Sequence, residues 1–107
     1  MISFPDKPEL SALQTYQKAV CQARGWDQTP ILETFLLMSE EFGELAKAIR
    51  NRIGLYQEKG KNIDEGELSG ELADVFSYLM EIANHFEIDL TESYRQKEAI
   101  NASRNWD

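Results

Sequence analysis

Cysteine, histidine and proline are scarce in this 107-residue chain, which holds one, one and three of them. Cys21 has no partner within the chain, so an internal disulfide is excluded. A reducing cytoplasm fits, and Cys21 reads as a small helix residue. A single histidine, His85, rules out a histidine-rich metal centre. A di-iron carboxylate bundle needs Glu-x-x-His on two helices, and the residue three before His85 is Ile82. His85 itself reads as structural. No apolar run approaches the roughly 20 residues of a membrane span. The opening "MISFPDKPEL" lacks the basic segment and apolar stretch of a signal peptide. Alternating β-branched and aromatic runs are missing too, so strands are not expected. There is no G-x-x-x-x-G-K phosphate loop and no Ser/His/Asp or Cys/His nucleophile set. Positive charge is also scarce. Eleven Lys and Arg stand against nineteen Asp and Glu, for a net charge of −8, which argues against a surface that coats nucleic acid.

What is present is helical punctuation and helical rhythm. The length suits one domain over residues 1–107. Four helical segments are predicted, over residues 8–24, 30–53, 65–86 and from 89 or 91 to 105. Proline opens the first two, and Gly25 and Gly54 follow them. Asp89 or Thr91 could cap the fourth. The connection "GLYQEKGKNIDEG", with three glycines and mixed charge, reads as a surface loop. In the second segment Ile31, Phe35, Met38, Phe42, Leu45 and Ile49 recur at steps of four and three. In the third, Leu68, Leu72, Val75, Leu79, Ile82 and Phe86 do the same. Two such stripes predict an all-α four-helix bundle. So small a bundle buries little surface alone and gains from assembling as an oligomer.

The stretch "MSEEFGEL" puts three glutamates into the second stripe. Residues three or four apart share a helix face. Glu41 and Glu44 fall between Leu37 and Ala48, beside the core stripe, whereas Glu40 falls with Glu33 and Lys47 on the side read as solvent. The third segment repeats the device in "GELADVFSYL": Glu71 and Asp74 are three apart, Glu67 lies one turn earlier, and Tyr78 and Ile82 flank Glu71. If the two helices pack antiparallel, the acid pairs face one another. Four carboxylates meeting at a core edge repel and are desolvated, and a hard divalent cation relieves both. Mg²⁺ is such a cation, and its natural partner is a polyphosphate. The competing reading is that these are solvated acids paired with Lys47, Arg50 or Arg52, on a non-catalytic helical interaction module.

The paired pattern, E-x-x-E in "EEFGELAKAI" and E-x-x-D in "ELADVFSYL", resembles the all-α nucleoside triphosphate pyrophosphohydrolases. That superfamily comprises the MazG proteins, the all-α dCTP pyrophosphatases, the dimeric dUTPases and phosphoribosyl-ATP pyrophosphohydrolase. The resemblance spans roughly residues 13–106. It implies Glu41, Glu44, Glu71 and Asp74 as catalytic Mg²⁺ ligands, with Mn²⁺ as a substitute. It also implies Tyr78 near the nucleotide sugar, Lys97 and Asn101 near the phosphates through "KEAINASRNW", and Trp26 of "RGWDQ" beside the base. Independently of it, Lys97 and Asn101 lie four apart on a stripe with Leu90 and Tyr94, an unusual place for a lysine unless it meets an anion. Arg104 reads as a surface residue. Asn51 stands where dCTPase-like members carry a second aromatic, which argues against a pyrimidine sandwich and brings the chain closer to the small MazG-like proteins. The activity implied is hydrolysis of an NTP or dNTP to the monophosphate and pyrophosphate by a cytoplasmic homodimer or homotetramer, in house-cleaning of the nucleotide pool. Phosphoribosyl-ATP hydrolysis is the alternative within the superfamily. Nucleic-acid polymers and membranes are not expected as partners.

Overall fold

The computed structural model describes residues 2–54 and 65–104. The connection predicted over residues 54–66 lies, from 55 to 64, outside the described residues, as do Asn105 and Trp106. Among the described residues there is no strand. Four α-helices follow one another: α1 (Leu10–Arg24), α2 (Ile31–Arg52), α3 (Glu65–His85) and α4 (Leu90–Ser103), with a single 3-10 turn at Trp26–Gln28. The all-α expectation holds, and the helix ends fall within two residues of the predicted ones.

The chain divides into two compact units. One takes the residues up to Gln28 and those from Met80 onward; the other is Thr29–Leu79. In the first unit α1 buries Gln14, Gln17, Val20 and Cys21, and α3 buries Met80 and Ala83. Two of α1's four buried residues are glutamines, and burial of an amide demands partners. Gln14 has them. Its Nε2 donates to the Ile88 carbonyl at 2.9 Å and to Asn84 Oδ1 at 3.3 Å, and its Oε1 accepts from the Leu90 amide at 2.8 Å. Asn84 Nδ2 returns a bond to the Gln14 carbonyl at 3.0 Å. One side chain thereby ties α1 to the corner between α3 and α4. Cys21 is held the same way. Its Sγ donates to Glu81 Oε1 at 2.8 Å, and Gln17 Nε2 donates to Sγ at 3.5 Å. Burial, and then the hydrogen bond to Glu81, push the thiol up to about 12, so it is an inert packing group at neutral pH.

The helix ends follow local chemistry. Gly25, at φ 75°, closes α1 with its N–H on the Cys21 and Gln22 carbonyls. Glu87 does the same for α3 without being glycine. At φ 56° it donates to the Asn84 carbonyl at 3.1 Å while Ile88 donates to the Ala83 carbonyl at 2.8 Å, a Schellman stop. Asp89 then caps α4, accepting from the amides of Thr91 at 3.0 Å and Glu92 at 3.4 Å.

The second unit holds α2 and the first part of α3. The Pro30 carbonyl accepts from Glu33 and Thr34 to start α2, and Gly54, at φ 71°, follows its end. The buried line of α2 is not centred where the apolar stripe predicts. Thr34, Met38 and Ala48 are buried, with Glu41 and Leu45 half-buried between them, at steps of four, three, four and three. Phe35, Phe42 and Ile49, predicted as core, are 51%, 48% and 44% exposed. The stripe serves two faces. One edge of it packs within the chain, and the other is apolar surface.

Candidate metal centre

Because the buried line of α2 runs through position 41, a glutamate stands where a core residue would. Glu44, Glu40 and Gly43 point progressively away from that line, and all three are exposed. On α3, Glu71 is half-buried and Asp74, three residues on, is exposed. The two helices bring three of these acids together. Carboxylate oxygens of Glu41, Glu71 and Asp74 all lie within 4.8 Å of one another. Glu44 is not a member of that group, although its negative charge acts on Glu71. The predicted split into a solvent glutamate and an inward pair therefore holds for Glu40 and Glu41, while Glu44 sits at the rim. It stands about 60° round the helix from Glu41 and is exposed, although Ala48, its expected neighbour one turn on, is buried; Leu37, the neighbour expected one turn before Glu41, is exposed.

Glu71 carries the electrostatic strain of the group. Burial first, then a hydrogen bond with the Glu41 carboxylate, then the charges of Glu41, Asp74 and Glu44 raise its carboxyl above the ordinary value of 4.5. Its Oε2 is buried with no hydrogen-bond partner. An oxygen removed from water without a partner is unfavourable, and a cation would satisfy it. The donor set is entirely carboxylate oxygen, from two helices, with one member open to solvent. That fits a hard divalent ion which keeps part of its water shell and shares a polyphosphate. It does not fit a thiolate- or imidazole-loving metal.

Segment by segment, these acids lie in a stretch with a family signature. The family model for the MazG nucleotide pyrophosphohydrolase domain matches residues 30–99. The chain belongs to the MazG nucleotide pyrophosphohydrolase family. None of the curated proteins compared matches the chain. The MazG match takes in α2, α3 and most of α4, and with them Glu41, Glu44, Glu71, Asp74, Tyr78 and Lys97. It leaves out α1, Trp26 and Asn101. Divalent-metal dependence is general in the MazG family, in keeping with the acidic group.

Tyr78 is half-buried one turn beyond Asp74, in the same unit. The other sequence-predicted residues belong to the first unit. Trp26 is about half exposed on the 3-10 turn, with the Arg24 guanidinium 4.8 Å from its ring centroid, a cation–π contact that holds the indole at the end of α1. Lys97 is exposed on α4, and Asn101, one turn on, is half-buried. His85 is exposed and packs edge-to-face on Phe86, with centroids 4.8 Å apart, in line with the structural reading. No helix among the described residues is long and apolar enough to cross a membrane.

Proposed function

We propose that this protein hydrolyses nucleoside or deoxynucleoside triphosphates to the monophosphate and pyrophosphate with Mg²⁺, or Mn²⁺ in its place, as one MazG-like domain. The observation that carries this reading is the convergence of Glu41, Glu71 and Asp74 from two helices, inside the segment that matches the family. Bound there, Mg²⁺ supplies charge neutralisation on the triphosphate and a more acidic water. Glu41, Glu71 and Asp74 hold the ion, with Glu44 completing the set from the rim. The carboxylate oxygens they leave unligated accept the proton of an in-line attacking water. Nucleophilic catalysis by the chain is not needed, since Cys21 is locked as a thiol beside Glu81. On the resemblance, Lys97 and Asn101 contact phosphates, Tyr78 the sugar and Trp26 the base.

The physiological role we assign is house-cleaning of the nucleotide pool in the cytoplasm, by a homodimer or homotetramer. The test is pyrophosphate release from a panel of NTPs and dNTPs with and without Mg²⁺. The wild type should turn over at least one of them only with metal, and Glu41→Gln and Asp74→Asn should each lose on the order of a hundredfold or more. Full turnover in both variants would remove the site assignment. No turnover of any nucleotide by the wild type would remove the enzyme reading.

A further inference from the structure

We draw no further inference here: the strongest candidate, the open cleft of about 410 Å³ between α1 and the α3–α4 corner lined by Ser11, Gln14, Lys18, Glu87 and Asp89, carries nothing, because its one buried polar side chain, Gln14, is already engaged by Asn84, Ile88 and Leu90 and no other group in it points to a ligand.

Discussion

Glu71 is held above the ordinary carboxylate range by burial and by three acidic neighbours, and this has a sign that can be measured. A carboxyl whose folded value lies above its unfolded value binds its proton more tightly in the native state. Its contribution is therefore fully present at pH below the unfolded value and is lost as pH rises through the folded one. Near neutral pH the metal-free protein bears that loss. Glu71→Gln removes the charge and keeps the shape, so the metal-free variant should melt higher than the wild type at neutral pH and show a smaller decline between mildly acidic and neutral solution. Mg²⁺ should raise the melting temperature of the wild type and leave the variant nearly where it was. A wild type that is as stable metal-free at neutral pH as at pH 5, and no more stable with Mg²⁺, would show that the acids impose no such strain. Glu44, outside the group of three, should matter less to metal than Glu71: calorimetric Mn²⁺ titrations should rank Glu44→Gln as the milder loss. The acids of this site were legible in the sequence because spacing by three fixes neighbours on a helix face, whatever else the chain does. Which of them turns inward was not, since Glu41 and Glu44 differ by a rotation that only the packed helix defines.

At the level of elements, the ends of helices were easier to read than their faces. Pro30, Gly25 and Asp89 act through their own backbone or side chain, and such local chemistry survives any tertiary arrangement. Glu87 was invisible for the opposite reason. Nothing in a glutamate announces a left-handed residue; the Schellman bonds of Ile88 and Glu87 to α3 impose it. Non-glycine residues adopt that conformation at a penalty of about 1–2 kcal/mol. Glu87→Gly should accordingly stabilise the corner by about 1 kcal/mol, less the backbone entropy glycine loses, and raise the melting temperature by a few degrees. Thermal unfolding followed by circular dichroism checks it. A fall in melting temperature would mean that the Glu87 side chain does something the backbone argument misses. The same contrast explains the misplaced core of α2. Hydrophobicity marks Phe35, Phe42 and Ile49 as wanting cover, but it does not say whether the cover comes from the same chain.

For the whole molecule, that uncovered face is the dominant feature. Along α2 and its C-cap, Leu32, Phe35, Ser39, Phe42, Ala46, Ile49 and Ile53 recur at steps of three and four, and every one of them is exposed. This is the a/d rhythm by which one helix packs against another. On α3, Leu72, Phe76 and Leu79 are exposed in similar spacing. Burying one large apolar side chain contributes roughly 1.5–3 kcal/mol, so covering this seam favours assembly. The chain's net charge of −8 opposes self-association, and salt screens that opposition while leaving apolar burial intact. Sedimentation equilibrium should therefore show a dimer or tetramer whose association tightens as salt rises. A Phe35→Glu, Phe42→Glu double variant should sediment as a monomer with its helical content retained, since neither ring is part of the buried line through Thr34, Met38 and Ala48. Its carboxylate group belongs to one chain, so Mn²⁺ binding should persist in the monomer. A wild type that stays monomeric at micromolar concentration and high salt would leave the α2 seam without an occupant and overturn the assembly.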